Sequence, residues 1–373
     1  MRGSIVKKGD RYYVVYYVGG KHRWKAAGTK KKDAERMLTE IVRQVQIGEY
    51  RDPRPITFGE ISEKWMEYAE HQLKPATLSL YRTLLNVHIL PEFEKNQITD
   101  IWFEDIQRFI SRKAKEGKLS PQTLKHMMNP ISGVFQYAIR GGYLRENPAR
   151  YVQTPRIPHR EMDFLTTEEV RIFLEYVPQR YYSLFLTAIM TGMRRGELLA
   201  MKWKNLDWNR RQYFVREILS KYGARFQEPK SKTSRRAMDL APQLIGALEA
   251  HRAHQNEMKL KLGPVYEDMG LVFCTEKGTP LDPDNISQRE FPRFLKDAGI
   301  RRIRFHDLRH TYASLLIAQG ESPKYIQNQM GHASIRTTLD RYGHLMPEVH
   351  EQAAKRLGNQ IFGRDFADSL EIR

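Results

Sequence analysis

Two proline-rich, basic stretches divide the chain and limit its fold more than any other feature of the sequence. Residues 50–55 read Tyr-Arg-Asp-Pro-Arg-Pro, and residues 147–158 contain three prolines. Proline ends regular elements and marks linkers. At 373 residues the chain is also too long for one ordinary core. We therefore expect three domains, at residues 1–52, 56–150 and 160–373.

The first part has the composition of a small sheet plus one helix. Residues 11–18 are rich in tyrosine and valine, Gly19-Gly20 predicts a hairpin turn, and residues 21–25 supply the returning strand. Apolar residues from Ala34 to Val45 recur at helical spacing. Lysine and arginine number twelve against five acidic residues in the first fifty. The part is therefore either an accessory domain with a solvated basic face or, as we favour, a DNA-binding module.

The second part predicts an all-α domain with basic residues scattered over its helices. Thr57 is a good N-cap, Pro75 and Ser120-Pro121 are typical helix starts, and Gly141-Gly142 is a typical helix end. A further apolar stripe begins at Phe103. Four helices are expected from these signals.

The third part predicts a mainly α domain that includes a small β-sheet. Thr166 and Glu169 form a predicted capping box at its start. A basic turn at residues 229–236 separates two predicted strands. The remaining predicted elements are helices at residues 181–190, 194–201, 243–262 and 285–298, a strand at residues 213–219, and a return strand that ends at Leu240.

Charge and cysteine content indicate the partner and the compartment. The formal net charge is +18 and the pI is about 9.8. This balance predicts a polyanionic partner, most often nucleic acid, although a merely basic protein has the same composition. Cys274 is the single cysteine, so no disulfide forms within the chain. No signal peptide and no stretch long enough to span a bilayer is present. We expect a cytoplasmic protein without a membrane partner.

One predicted helix carries His306, Arg309 and His310. His306 and Arg309 are neighbours on one face, and the guanidinium fork of arginine matches phosphate oxygens. The alternative interpretation is that His306 and Arg309 are an ordinary pair on the protein surface. His306 and His310 also have the spacing of zinc ligands, but a glutamate of the zinc-protease type, a cysteine pair and a third ligand are all missing.

Two further candidates follow in the next forty residues. Gly331 ends a short predicted helix that starts at Ser322-Pro323, and His332 follows in a tight loop. Ser334 is the predicted cap of a last helix that carries Tyr342. Helical spacing alone favours Tyr342 as a core aromatic, whereas its polar sequence neighbours favour a reactive position.

Upstream cations complete a candidate phosphate site. Arg194 lies at the start of a predicted helix, where anions are favoured, and Glu197 is placed to orient it. Lys232 lies in the basic turn. Tyrosine is a poor nucleophile at its ordinary pKa of roughly 10. It becomes effective when cations neutralise the phosphate it attacks, and a lysine can protonate the leaving oxygen.

These segments, in this order, resemble the tyrosine recombinases, specifically integrases of temperate phages and integrative conjugative elements. Each motif is weak alone, but five in one order over about 150 residues are distinctive. The matching segments are Thr191-Gly-Met-Arg-Arg-Gly-Glu-Leu198, Lys232-Thr233, His306-Asp-Leu-Arg-His-Thr311, Met330-Gly-His332 and Thr338-Leu-Asp-Arg-Tyr342. The resemblance extends over the whole chain and implies an arm-site-binding domain, a helical core-site-binding domain and a catalytic domain.

The resemblance also implies roles for the candidate residues. Arg194 and Arg309 would clamp the scissile phosphate, with Glu197 as an accessory acidic group. Lys232 would protonate the 5′ leaving oxygen. Lys230, two residues away, is the alternative, because the sequence does not define the strand register.

For the remaining three residues, the implied roles concern the phosphate and the nucleophile. His306 would assist as acid or base, and His332 would hydrogen-bond the phosphate. Tyr342 would attack and form a 3′-phosphotyrosine. No metal, ATP or other cofactor is implied.

The implied partners are duplex DNA with core and arm attachment sites, and three further copies of the chain in a tetramer on DNA. An excisionase and a host DNA-bending protein are compatible with this scheme. The C-terminal tail, Ala353 to Arg373, carries apolar residues and is predicted to dock on a neighbouring protomer, with packing on its own domain as the alternative. The alternatives are a type IB topoisomerase, a chromosome-dimer resolving recombinase and a non-enzymatic repressor.

Overall fold

The computed structural model describes residues 3–18, 21–47, 55–158, 162–220, 226–229, 235–345 and Ile361. The chain forms two compact units, Met1–Pro158 and His159–Arg373. Some predicted features lie outside the described residues. These are the Gly19-Gly20 turn, most of the linker at residues 50–55, Lys230, Lys232, and the C-terminal tail apart from Ile361.

An antiparallel three-stranded sheet opens the first unit, with a helix against one face. Its elements are β1 (Ser4–Lys8), β2 (Arg11–Val18), β3 (Lys21–Gly28) and α1 (Lys31–Gln46), with the strands in that spatial order. Val14 and Tyr16 alternate toward the helix and pack with Ala34 and Ile41. The predicted strand pair and helix are confirmed. Strand β1 was missed because its five residues include two lysines, which weaken the strand signal.

Helices make up the rest of the first unit. They are α2 (Phe58–Glu70), α3 (Pro75–Leu84), α4 (Leu90–Phe93), α5 (Phe103–Lys115) and α6 (Pro121–Arg140). Phe58, Phe93 and Phe109 are members of one buried cluster that joins these helices. The predicted caps are confirmed, since Thr57 accepts from the Glu60 amide and Ser120 from the Thr123 amide. A π-helical turn, Leu85–Ile89, joins α3 to α4 and was not predicted.

The first half of the stretch at residues 147–158 packs on this helical core. Asn147 caps a 3-10 turn, Pro148–Tyr151, whose Ala149 is buried in the helical cluster. Gln107 exchanges hydrogen bonds of 3.1 and 2.9 Å with the backbone of Gln153. The division into three domains stays a prediction, and the separate sheet and helix clusters of the first unit are compatible with it.

The second unit is mainly helical around one large apolar cluster. Its helices are α7 (Thr167–Tyr176), α8 (Gln179–Thr191), α9 (Arg195–Leu198), α10 (Pro242–Leu262), α11 (Pro283–Asn285), α12 (Phe291–Asp297), α13 (Asp307–Ala318), α14 (Pro323–Met330) and α15 (Ile335–Tyr342). Its strands are β4 (Leu206–Asp207), β5 (Gln212–Phe214), β6 (Ile218–Leu219), β7 (Phe226–Gln227) and β8 (Ala237–Asp239). Helix α8 is central, because nine of its thirteen residues are buried. The mixed, mainly α fold class is confirmed.

Backbone pairing explains two differences from the predicted elements. The predicted helix at residues 194–201 is only α9, because the following backbone pairs with residues 270–272 through bonds such as Val272 N–H to Met201 C=O at 2.8 Å. The predicted strand at residues 213–219 is divided between sheets, since β5 pairs with β8 and β6 pairs with β7. In the described part of the chain no helix is long and apolar enough to cross a membrane.

Candidate active site

Arg309 joins three elements from a buried position in the first turns of α13. It is 3% exposed, and its Nη1 donates to the Gly192 carbonyl at 2.7 Å while Nη2 donates to the Met330 carbonyl. Gly192 and Met330 are at the ends of α8 and α14. Burial, followed by the charge of Arg194, lowers the pKa of Arg309 to about 9, so the guanidinium stays charged at neutral pH. The alternative interpretation of His306 and Arg309 as an ordinary surface pair does not hold for Arg309, whose buried guanidinium is satisfied by backbone carbonyls.

Arg194 lies beside this group as the N-cap residue of α9. Its Nη1 donates to Glu197 Oε1 at 2.7 Å, and its Nη2 donates to the Gly331 carbonyl at 3.3 Å. Gly331 has a φ of 63°, the left-handed conformation predicted for the residue that ends α14. Arg194 is partly exposed, so its cationic head is accessible to an anion.

Glu197 is buried between two guanidiniums. Arg236 Nη2 donates to Glu197 Oε2 at 2.9 Å, from the side opposite the Arg194 bond. Burial raises the pKa of this carboxyl, but Arg236 and Arg194 outweigh burial and hold the pKa of Glu197 below its usual range. The carboxylate is therefore ionised and fixes the orientation of Arg194, as the sequence predicted.

Arg236 is a residue that the sequence reasoning missed. It is the last residue of the predicted basic turn and donates from Nε to the Gln329 carbonyl at 2.5 Å, in addition to its bond to Glu197. It thus ties the base of the turn to α14 and to the Arg194 pair. Its position at the end of a predicted basic turn, before a strand whose Met238 is buried, was the available signal.

His332 follows Gly331 and is nearly covered. Its Nδ1 lies 2.9 Å from the Thr338 hydroxyl on α15. Burial, followed by the charges of Arg309 and Arg194, lowers the pKa of His332 to about 3. The imidazole is therefore neutral at pH 7. With the ring proton on Nε2, Nδ1 accepts from the Thr338 hydroxyl and the Nε2–H can donate to a ligand oxygen.

Tyr342 closes the site from the last turn of α15. It is 1% exposed and belongs to a small cluster with Ile317 and Ile326. Its hydroxyl lies 2.6 Å from Nδ1 of His310. Burial raises the pKa of Tyr342 to about 12, and Arg309 opposes that shift. The ring of Tyr342 is thus packed in the core, and its hydroxyl is close enough to Arg309 to interact with it electrostatically.

The last two predicted site residues are His306 and Lys232, of which the structure describes only His306. His306 is exposed at the start of α13, and its ring centre lies 5.4 Å from that of His310. Desolvation, followed by the charge of Arg309, lowers the pKa of His306. Lys232 and its alternative Lys230 lie outside the described residues.

The arrangement is a cluster of cationic and hydrogen-bonding side chains, with the buried Tyr342 hydroxyl held beside it by His310. Arg194 donates to the Gly331 carbonyl and Arg309 to the Met330 carbonyl, both at the end of α14. His332 is the next residue of the chain and is held by Thr338, so the three side chains lie close together. A basic cavity of about 490 Å³ adjoins His306. Three arginines are among the residues that line this cavity: Arg195, Arg302 and Arg304. Cations grouped in this way can neutralise the negative charge of a phosphodiester while its phosphorus is attacked. Within the described ranges no cluster of His, Cys, Asp or Glu suits a metal ion.

Comparison with known proteins decides the family. The model of the phage integrase family matches residues 163–348, and that of the phage integrase N-terminal SAM-like domain matches residues 57–114. A tyrosine recombinase XerC-like protein of Caldanaerobacter subterraneus subsp. tengcongensis is 31% identical, over 96% of this chain and 98% of its own. The chain belongs to the phage integrase family of tyrosine recombinases. The recombinase is also 29% identical to the ICEBs1 integrase of Bacillus subtilis, over 92% of this chain and 94% of that protein.

Solved structures share the fold of this recombinase. The Tn1549 transposon integrase in complex with transposon right end DNA covers 81% of the recombinase with a TM-score of 0.68 at 21% identity, over 100% of its own chain. A lambda integrase tetramer bound to a Holliday junction covers 91% with a TM-score of 0.59 at 18% identity, over 93% of its own chain. The predicted family and the predicted class of enzyme, a DNA strand-breaking and rejoining site-specific recombinase, are confirmed.

Proposed function

We propose that this recombinase integrates and excises a mobile element by cutting and rejoining duplex DNA at attachment sites. The observation that carries the proposal is that Arg194, Arg309 and His332 come together at the end of α14, with the Tyr342 hydroxyl close enough to interact electrostatically with Arg309. Residues of these types have one obvious shared ligand, a phosphodiester whose phosphorus Tyr342 attacks.

Arg194 and Arg309 are proposed to hold the non-bridging oxygens of the scissile phosphate. Arg309 is fixed by two backbone carbonyls, and Arg194 is fixed by Glu197, so neither must be ordered when DNA binds. A pre-oriented donor stabilises the charge that develops in the transition state more than a mobile one does. His332, neutral and held by Thr338, is proposed to donate its remaining N–H to the same phosphate.

Tyr342 is the proposed nucleophile. Its oxygen attacks phosphorus and displaces the 5′ oxygen, which leaves a 3′-phosphotyrosine. Lys232 is proposed as the acid that protonates the leaving oxygen, with Lys230 as the alternative, and His306 assists in proton transfer from the exposed edge of α13. The phosphotyrosine conserves the energy of the broken bond, so rejoining needs neither ATP nor a metal.

The sheet of the first unit is the proposed arm-site module, and α2 to α6 form the proposed core-site module. Trp24 and Tyr17 are exposed on the sheet face away from α1, and Lys8 lies over the Trp24 ring at 4.8 Å. Basic and aromatic groups on one face suit a groove of duplex DNA. The assembled form is proposed to be a tetramer on DNA. An excisionase and a host DNA-bending protein fit the same scheme, and chromosomal DNA as substrate places the proposed action in the cytoplasm.

A two-site assay tests this function. A plasmid with a pair of matched attachment sites should give recombinant junctions, whereas plain relaxation of supercoils without exchanged junctions would indicate a topoisomerase. The reaction should proceed in EDTA, and loss of cleavage there would contradict the metal-free scheme. Recombination confined to chromosome-dimer sites would contradict the mobile-element assignment.

A further inference from the structure

His310 contacts the reacting oxygen of the proposed nucleophile. Its Nδ1 lies 2.6 Å from the Tyr342 hydroxyl, and the two rings are tilted by 57° with centres 5.6 Å apart. Both side chains are buried. Within the described part of the chain, His310 is the group hydrogen-bonded to this hydroxyl. His310 lies within the family segment His306–Thr311 quoted above, but neither the resemblance nor the proposed mechanism gives it a role.

The protonation states of the two groups allow the hydrogen bond to run from tyrosine to histidine. Burial, followed by the charge of His306, lowers the pKa of His310 to about 4, and burial raises the pKa of Tyr342 to about 12. At neutral pH the imidazole is therefore uncharged and the phenol keeps its proton. With the ring proton on Nε2, Nδ1 has a free lone pair that accepts from the hydroxyl. This is the arrangement required of a general base.

Other bases of the described site are occupied or remote from the hydroxyl. Glu197 is bonded to Arg194 and Arg236. Asp307 is bonded to Arg304. His306, the family's histidine, is exposed and contacts the His310 ring, and its described contacts do not include Tyr342.

We propose that His310 is a catalytic residue that accepts the proton of Tyr342 as the tyrosine attacks DNA. This inference rests on the proposed function. In cleavage, the Tyr342 Oη–phosphorus bond forms while the Oη proton moves to His310 Nδ1. The phosphorus–5′ oxygen bond breaks, and the leaving oxygen takes a proton from the general acid. In rejoining, the 5′ hydroxyl attacks phosphorus and returns its proton to the group that acted as general acid, the Oη–phosphorus bond breaks, and the proton on Nδ1 returns to Oη.

The surroundings of His310 suit a base that becomes charged only briefly. Burial keeps the resting ring neutral, and the nearby Asp307 carboxylate favours the imidazolium once the proton arrives. His306, Arg341 and Arg304 also face the ring and oppose its protonation. The hydroxyl is covered in the free protein, so DNA must uncover it while the contact with His310 is retained.

The test compares variants on a nicked DNA that traps the covalent intermediate. His310→Asn keeps a side-chain acceptor near the position of Nδ1 but cannot take a proton. His310→Gln is the second variant in case the first does not fold, and the exposed His254→Asn is the control. Thermal unfolding and DNA binding are measured for each. We expect normal binding, with cleavage slower by roughly 10²- to 10⁴-fold for the His310 variants and unchanged for the control.

Two further readouts separate proton acceptance from a structural role. Replacing the bridging 5′ oxygen by sulfur gives a leaving group that needs no acid, so it should not restore the His310 variants. Their cleavage rate should rise about tenfold per pH unit, as hydroxide replaces the base, whereas the wild type should reach a plateau. His306, Asp307, Arg341 and Arg304 are unchanged in every variant, so they contribute equally to all profiles.

Three results would overturn the assignment. Cleavage by His310→Asn at the wild-type rate would exclude proton acceptance, and faster cleavage would show that the contact restrains Tyr342. Rescue by the sulfur substrate would assign His310 to the leaving group. If the wild type forms no tyrosine adduct at all, the proposed function itself fails, which is distinguishable from these outcomes.

Discussion

Arg236 and Glu197 form a buried ion pair that connects the end of the basic turn to Arg194, the proposed phosphate-binding arginine. Arg236 Nη2 lies 2.9 Å from Glu197 Oε2, and the other oxygen of the carboxylate holds Arg194 at 2.7 Å. The side chains of Arg236 and Glu197 are 6% and 1% exposed. One carboxylate therefore compensates two cations, and its loss affects folding and the site together.

Glu197→Gln is expected to destabilise the fold and slow cleavage. Removing one member of a buried, hydrogen-bonded ion pair costs about 3–5 kcal/mol, because the remaining charge lacks compensation. Urea denaturation measures the stability, and single-turnover cleavage measures the site. Glu228→Gln is the matched control, since Glu228 pairs with Arg235 at the surface and should leave the denaturation midpoint unchanged. Equal midpoints for both variants would contradict the buried-pair account.

The free energy of unfolding is expected to fall in mild acid through His332. Burial, followed by the charge of Arg309, lowers the pKa of His332 to about 3, from an ordinary value of 6.5. Below pH 6.5 the unfolded imidazole binds a proton that the folded one does not. The His332 contribution is therefore complete above pH 6.5 and is lost toward pH 3, at up to about 1.4 kcal/mol per pH unit.

Urea denaturation of His332→Gln at pH 7 and pH 5 isolates this contribution. The variant should lose about 2 kcal/mol less than the wild type between the two pH values. Other titrating groups are common to both proteins and cancel in the comparison. Identical pH dependence would show that His332 is not held neutral in the fold.

DNA affinity is expected to fall steeply with salt. Phosphate contacts release counterions, so a protein with six to ten such contacts loses roughly 10³- to 10⁵-fold in affinity between 50 and 200 mM salt. Arg302→Ala should reduce the salt slope by about one, because Arg302 lines the basic cavity beside His306. Arg171→Ala is the control, since Arg171 is exposed and paired with Glu168. Equal salt slopes for the two variants would show that Arg302 and the cavity it lines do not contact DNA phosphates.

Trp24→Ala is expected to weaken arm-site binding and to spare cleavage at core sites. Trp24 is exposed on the outer face of the sheet, where a DNA groove would contact it. Gel-shift titrations with separate arm and core duplexes measure the two affinities. Leu260→Ala removes an exposed apolar side chain of the second unit and serves as control. A loss of core-site binding in Trp24→Ala would contradict the proposal that the sheet binds arm sites and that α2 to α6 bind core sites.

Local sequence signals predicted much of the fold because they act over a few residues. Thr57 and Ser120 cap helices through bonds to amides three positions ahead, and Gly331 ends α14 in the left-handed conformation. The Arg194–Glu197 contact was predictable for the same reason, since three residues separate the partners. Family motifs then indicated which separate segments meet.

Long-range pairing was the part that the sequence did not reveal. Arg236 meets Glu197 and the Gln329 carbonyl across 39 and 93 residues, so its role depends on strand register. His310 had the spacing of a zinc ligand, but α15 places the Tyr342 hydroxyl against it instead. The burial of Tyr342 follows from packing against α13 and α14, in agreement with its helical spacing, whereas its polar sequence neighbours favoured a more open position.

The most direct test is covalent capture of the recombinase on a nicked attachment-site duplex. Cleavage next to the nick releases a short strand, so the tyrosine adduct accumulates and can be counted on a denaturing gel. Wild-type protein should form an adduct that maps to Tyr342 by peptide mass. Tyr342→Phe should bind the same DNA with unchanged affinity and form none. An adduct that persists in Tyr342→Phe, or that maps to another residue, would contradict the account.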